Sequence, residues 1–482
     1  MDDIGLLIEG RSAGAVGGAT FERRSPVTGE AVTRAPAGKA ADARAAVEAA
    51  AAAFQAWSQL GPNARRAILW KAADAIVARA GEFSRIVTAE TGATAGWGGF
   101  NAHLAAGMLR EAASLTTQIT GEIVPSDKPG TLALAMRVPA GVCVGIAPWN
   151  APVILGVRAI ATPLACGNTV ILKASEQCPA THRLIGECLI EAGVPAGAIN
   201  VVTNAPEDAA EVVEALIAHP KVRRVNFTGS TRVGRIIGEL CGRHLKPALL
   251  ELGGKAPLIV LDDADLDAAV DAAAFSAFMH QGQICMSTER VIVQAAVADA
   301  FVEKFRAKAA KLTAGDPHKG EHILGSVVSR DAMRHVEQLI ADARSKGASI
   351  VSGGIATDAF MDATIVDKVT PEMSIYAEES FGPSVSVIRV SDDEEAIRVA
   401  NDTDYGLSSA VFSRDLKRAM DVAKRLEAGI CHINGPTVQD EPQMPFGGVK
   451  ASGYGRFGGK AGINEFTDLR WITIENEQHY PF

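Results

Sequence analysis

VCVGIAPWNAPVILGVRAIATPLACGNTVILKAS, residues 142–175, is the stretch on which the fold class turns. It opens on VCVGIAPW (142–149) and closes on NTVILKAS (168–175), two short apolar runs rich in β-branched residues. Runs this continuous read as strands buried on both faces, and the segment between them reads as a helix. Strands joined through a helix lie parallel, because a crossover of that length is what parallel pairing needs. The alternation continues through INVVT (199–203) and VRRVNFTGS (222–230), again with helices between. That is the pattern of a doubly wound sheet. After PALLELGG it restarts, with APLIVL (256–261), ERVIVQ (289–294), SVSVIRV (384–390) and GLSSAVFS (406–413) as strands of a second α/β unit. The two halves are expected to pack together with a cleft between them.

Outside this frame, TFERRSPVTGEAVTRA (20–35) reads as a hairpin, and the alanine-rich run from Ala40 to Leu60 as a long helix. Residues 63–90 and 101–117 read as amphipathic helices. GEIVPSDKPGTLALAMRVPAG (121–141) alternates around a Lys-Pro-Gly turn and predicts a second hairpin, and FTDLRWITIEN (466–476) an edge strand.

A chain of 482 residues exceeds what one core usually supports, so at least two domains are expected. The net charge of −9 carries no basic footprint for nucleic acid. Seven cysteines without a CxxC pair predict neither a disulfide framework nor a zinc site, and fit a reducing compartment. The start, MDDIGLLIEG, lacks the basic region of a signal peptide. The longest apolar run, Leu132 to Trp149, is broken by Arg137, Pro139 and Pro148 and cannot span a bilayer. A cytoplasmic protein without metal, membrane or nucleic-acid partner is expected.

Five segments carry chemistry. QGQICMSTER (281–290) sets Cys285 at a polar turn before a strand, although most cysteines are inert buried thiols. LLELGGKAP (249–257) places Glu251 between leucines, where a carboxylate is costly unless paired or partly protonated, and two glycines follow where a ligand or other backbone comes close. The plain alternative is a solvated edge-strand glutamate. Asn150, after the strand in IAPWNAPV, either caps the next helix or offers N–H donors to an oxyanion. FTGSTRVG (227–234) turns from strand to helix, with Gly229, Ser230 and Gly234 where backbone N–H groups meet a phosphate. ILKASE (171–176) ends a strand on Lys173, Ser175 and Glu176, and an acid there can accept from a ribose hydroxyl.

In order along the chain, PWN (148–150), KxSE (173–176), FTGSxxxG (227–234), ELGGK (251–255), GQxC (282–285), EExFGP (378–383) and PFGGxKxSGxGR (445–456) resemble the motifs of the aldehyde dehydrogenase superfamily. The resemblance implies an NAD-dependent enzyme, with NADP possible. It implies a Rossmann-like NAD-binding domain (1–118 and 139–252), an α/β catalytic domain (253–447) and a β oligomerisation arm (119–138 and 462–482) serving a homodimer or homotetramer. Cys285 would be the nucleophile, Asn150 the oxyanion donor and Glu251 the base for a deacylating water. Lys173 and Glu176 would hold the adenosine ribose, Ser230 the pyrophosphate and Glu379 the nicotinamide ribose, with Phe381 beside the nicotinamide. Ile146, Trp149, Ser175, Gly229 and Gly234 complete the cofactor set. Two positions depart from the pattern: KASE stands for the usual KPSE, and Phe457 follows Arg456 where many relatives carry a glutamate. A CoA-acylating relative generally lacks the ELGGK glutamate, and intact Cys285, Asn150 and Glu251 argue against a non-catalytic NAD-binding protein.

PWNAPVILGVRAIA (148–161), ASLTTQITGE (113–122), QGQICMSTER and the closing HYPF are most similar to bacterial vanillin, benzaldehyde and salicylaldehyde dehydrogenases. An aromatic aldehyde is therefore the expected substrate, with aliphatic aldehydes the alternative. Ile284, Met286 and Phe446 would line its entrance, Trp97 would stack on the ring, and Arg158, two helical turns beyond Asn150, would hold a phenolic oxygen or close the pocket.

Overall fold

The computed structural model describes every residue except 321 and 477–479, so His479 of the closing HYPF lies outside the described residues. The first sheet has eight strands. Its parallel core runs, in space, Ala248–Glu251, Val222–Thr228, Val142–Ile146, Thr169–Lys173 and Ile199–Val202. Chain order reverses at Val142–Ile146, the arrangement expected of a doubly wound sheet. Ligands bind such sheets outside the carboxyl ends of the strands at the reversal.

Strand alternation builds two cores from one sheet. Val142, Val144 and Ile146 face a cluster with the helices Ala40–Ser58, Ala209–Ala218 and Thr231–Arg243. Cys143 between them faces the other side, with the helices Pro62–Ala78, Ala95–Leu115, Pro152–Ala165 and Pro179–Glu191. The helix Pro152–Ala165 is buried on every face, which explains its unbroken apolar sequence.

The second sheet has seven strands in the order Ser349–Ser352, Thr364–Asp367, Ser384–Val390, Thr288–Gln294, Ala256–Val260, Ser408–Phe412 and Ile430–Ile433. All pair in parallel except the first. A separate three-stranded sheet joins Glu122–Val124, Leu132–Pro139 and the edge strand Thr467–Ile474.

Four readings change. Residues 63–90 are two helices, Pro62–Ala78 and Ala80–Thr91, divided at Arg79, and the next begins at Ala95, capped by Thr94, rather than at 101. The Glu251 strand is not an edge: it pairs with Val222–Thr228 on one side and antiparallel with Gly453–Tyr454 on the other. Leu6–Ile8 and Arg11–Ala13 extend the first sheet, and Thr364–Asp367 and Ile430–Ile433 the second. These strands are too short for a pattern of period two to register.

The close seat of the Pro152–Ala165 helix on the first sheet depends on Gly145, where a Cβ would stand 2.8 Å from Ala159 Cβ and 2.9 Å from its carbonyl oxygen. Gly145→Ala should destabilise the protein by about 1–3 kcal/mol through overpacking, read from the urea midpoint.

Candidate active site

A cleft of about 620 Å³ opens at the carboxyl ends of the first sheet's strands. Ile146, Trp149, Lys173, Ser175, Glu176, Gly229 and Ser230 all line it, together with the N-terminus of the Thr231–Arg243 helix. Ser230 caps that helix, accepting from the Val233 N–H at 3.4 Å. Such a terminus attracts anions through its dipole and free amides. Lys173 pairs with Glu176 Oε1, which also accepts from Asn204 Nδ2 at 2.9 Å. Burial works against the charge on Glu176, yet the neighbouring Lys173 ammonium holds its carboxyl below the ordinary carboxylate value.

Gly234 departs from its expected place. Its N–H is spent on the Ser230 carbonyl, and a Cβ there would meet Leu252 Cδ2 at 2.3 Å. It is a packing glycine that lets the helix sit on the ELGGK segment.

Cys285 sits after a tight backbone reversal. His280, Gln281 and Gly282 in succession adopt left-handed φ of 51°, 56° and 71°. Non-glycine residues hold that conformation only where surroundings over-determine it, and Gln281 Nε2 on the Ser326 carbonyl and Gln283 Oε1 under the Val328 N–H supply the ties. Burial pushes the Cys285 thiol up to about 12, and the Glu251 and Glu379 charges push the same way. The thiol therefore rests protonated and needs a base nearby to react.

Asn150 is not a helix cap, since Ala151 holds that position. Its Nδ2 donates to the Gln283 carbonyl at 2.9 Å, which ties it to the Cys285 loop and leaves a second hydrogen for an incoming oxygen. The Cys285 backbone N–H donates to no protein acceptor among the described residues.

Glu251 is buried, and neither carboxyl oxygen has a hydrogen-bond partner. Burial raises its carboxyl well above the ordinary value, partly offset by Arg158 and Arg456. The close approach of PFGG explains its setting: a Cβ on Gly447 would stand 2.7 Å from Glu251 Oε1 and 2.6 Å from Arg456 Cδ. Phe457, in place of the family's glutamate, is buried, bridged to Phe446 through both backbone N–H groups, and packed on Phe466.

The remaining motifs meet at Glu289, whose role the sequence reading missed. Its carboxylate accepts from Lys255 Nζ at 2.8 Å, from the N–H and O–H of Ser380, and from the Phe381 N–H at 3.0 Å. Lys255 also donates to the Glu378 carbonyl at 2.6 Å. ELGGK, STER and EExFGP are thereby locked together. Glu379, pushed up to about 7 by burial, accepts from the Gly254 N–H at 2.7 Å. Phe381, at φ 44°, meets Trp149 edge-on at 5.8 Å, joining the second unit to the mouth of the dinucleotide cleft. Lys255 and Glu289 both lay inside quoted motifs, but only their pairing in space reveals the hub.

Ile284, Met286 and Phe446 are buried in one cluster with Cys285 packed against it. Trp97 is 6% exposed, stacked at 4.6 Å on His280, and donates its indole N–H to the Asn150 carbonyl at 2.9 Å. Its place is under the Asn150 segment, instead of offering an open face to a ring. Arg158 is buried, paired with Asp440, with its guanidinium 4.2 Å from the Phe446 ring centroid. Asp440 carried no signal in the sequence.

Residues 15–472 match the profile of the aldehyde dehydrogenase family. The chain belongs to that family. It is 61% identical, over the whole of both chains, to a vanillin dehydrogenase of Pseudomonas fluorescens. Its fold superposes with a TM-score of 0.98, at 50% identity and full coverage of both chains, on a salicylaldehyde dehydrogenase from Pseudomonas putida G7 complexed with salicylaldehyde. PnpE in complex with nicotinamide adenine dinucleotide matches with a TM-score of 0.95 at 37% identity, covering 100% of this chain and 99% of that one. The chain is thus an NAD(P)-dependent aldehyde dehydrogenase, with the family's Rossmann-like region, catalytic α/β unit and β-sheet arm.

The cleft suits the dinucleotide on its own terms. A helix N-terminus with free amides and the Glu176 carboxylate, held below its ordinary value by Lys173, line the same cleft, the donors and the acceptor that a dinucleotide requires. Among the described residues no helix is long and apolar enough to cross a membrane, and no group of three or more His, Cys, Asp or Glu is placed to hold a metal ion.

Breaking the hub should be costly, because Glu289 would remain buried without its counter-charge. Lys255→Met should cost about 3–5 kcal/mol of stability, measured by chemical denaturation.

Proposed function

We propose that this enzyme oxidises an aromatic aldehyde of the vanillin, benzaldehyde or salicylaldehyde type to the carboxylic acid, with NAD as the usual acceptor and NADP possible. The observation that carries the substrate class is the 61% identity to a vanillin dehydrogenase over the whole chain, and the salicylaldehyde-complexed relative supports it. Ile284, Met286 and Phe446 belong to the apolar core against which Cys285 packs, surroundings that suit a flat ring. Arg158, held by Asp440, supplies a cation beside Phe446 for a phenolic oxygen.

In this reading Cys285 Sγ gives its proton to water in the cleft and bonds to the aldehyde carbon, and the carbonyl π pair moves to oxygen. Asn150 Nδ2 and the Cys285 N–H donate to that oxyanion. The bound nicotinamide supplies a hydride acceptor. The carbonyl re-forms as the C–H electron pair departs, leaving a thioester on Cys285. Glu251 then takes a proton from water, which adds to the thioester, and the C–S bond breaks to release the acid. Its unpaired, high-pKa carboxyl suits it to that task.

We further infer the domain division at 1–118 with 139–252, 253–447, and an arm of 119–138 with 462–482. Ile123, Leu469 and Trp471 expose apolar side chains on the arm sheet, which fits burial against another subunit in a homodimer or homotetramer. A cytoplasmic location accords with the free thiols.

Cys285→Ala should abolish NADH formation while NAD affinity, titrated by fluorescence, persists. Retained turnover would move the nucleophile elsewhere. Glu251→Gln should give a burst of NADH with little steady turnover and an acyl-enzyme visible by mass spectrometry. Because burial raises the Glu251 pKa, its basic form is lost as pH falls through a value above the ordinary carboxylate range. The steady rate in wild type should therefore fall on an acid limb that lies above the ordinary carboxylate range. For the substrate class, kcat/KM for vanillin, benzaldehyde and salicylaldehyde should exceed that for acetaldehyde and hexanal by about tenfold or more, and the reverse order would overturn the aromatic assignment.

A further inference from the structure

The acid that would receive the adenosine ribose is held in a way that its motif does not explain. Both protein donors on Glu176, Lys173 Nζ and Asn204 Nδ2, converge on Oε1. Among the described residues no donor is recorded on Oε2, and the side chain lines the cleft with 19% of its surface open. One oxygen is anchored and the other is presented.

Asn204 itself is fully buried just beyond the strand Ile199–Val202. Its Nδ2 also donates to the Ala205 carbonyl at 2.8 Å, so both hydrogens are engaged. The amide cannot be turned round, since Oδ1 would then face a carboxylate and a carbonyl, two acceptors. Its Oδ1 has no hydrogen-bond partner. The turn behind Glu176 is fixed as well, because the Ser175 N–H donates to His182 Nδ1 at 3.1 Å.

We propose that Asn204 is a cofactor-specificity residue: with Lys173 it clamps Glu176 so that its free oxygen accepts from an unmodified ribose and cannot swing away from a 2′-phosphate. A glutamate at this site can admit NADP only by moving its carboxylate off the 2′ position, because the two anions repel. Lys173 alone would follow such a movement on its flexible stem. The short, buried Asn204 amide cannot, so rotation of Glu176 must break that bond. The consequence is selection by penalty against the wrong cofactor, with no added contact to the right one. The inference rests on the reading of this cleft as the dinucleotide site.

The test compares wild type with Asn204→Ala and the near-isosteric Asn204→Leu, neither of which can donate to Glu176. Binding of NAD and of NADP is titrated by fluorescence without aldehyde, and kcat/KM for each cofactor is measured with vanillin. The expected result is a rise of about tenfold in the NADP-to-NAD ratio, by binding and by kcat/KM, in variants that keep a cooperative thermal transition. A ratio within twofold of wild type, or equal losses for both cofactors, would overturn the clamp and leave Asn204 a packing residue. Should Asn204→Ala not fold, Asn204→Leu keeps the volume filled and decides the matter. If vanillin is not oxidised by wild type, the functional reading fails, while the binding ratios still decide the clamp.

Discussion

Glu289 is a buried carboxylate with four protein donors around it, and the geometry of the site depends on that. The Lys255 ammonium supplies its counter-charge, and Ser380 and Phe381 supply backbone and hydroxyl donors. Removing a carboxylate from water is expensive unless every lone pair finds a donor. The cost is met here only when three separate segments arrive together, which gives the arrangement one outcome. Lys255 follows Gly254, whose N–H holds Glu379, and Phe381 reaches Trp149 at the edge of the dinucleotide cleft. A single satisfied charge thus ties three segments of the second α/β unit together and fixes Phe381 where that unit meets the first.

The reactive groups are arranged on the opposite principle. Glu251 has no hydrogen-bond partner, and the Cys285 thiol is raised to about 12 by burial and by its acidic neighbours. Neither group is stabilised in its charged form by the protein alone. Trp97 and Gln283, by contrast, hold the Asn150 segment by its carbonyl and its side-chain amide, so the donor is fixed before the reaction begins. The family's extra glutamate is replaced by Phe457, and the positive charge near Glu251 comes from Arg158 and Arg456.

Three residues that the resemblance assigned to ligands have protein partners in the structure. Arg158 was expected near the substrate, and it is buried at the Phe446 ring with Asp440 as its partner. Trp97 was expected to stack on a substrate ring, and its neighbours are His280 and Phe100 instead. Gly234 was expected at a phosphate, and its missing side chain makes room for Leu252.

The sequence by itself determined the two parallel sheets, because strands buried on both faces must be continuous apolar runs and helical crossovers must separate them. It determined the family, and with it the dehydrogenase activity, through ordered motifs that few other functions require. From the same motifs come the proposed roles of Cys285, Glu251, Asn150 and Glu176. Only the tertiary structure decided which groups meet. Glu289 with Lys255, Asp440 with Arg158 and Asn204 with Glu176 are separated by 34, 282 and 28 residues. No local pattern records a partner at such distances, since hydrogen bonds between side chains leave no periodicity in the chain. The short strands Leu6–Ile8 and Ile430–Ile433 were hidden for a related reason: their pairing comes from neighbours already in place, not from their own residues.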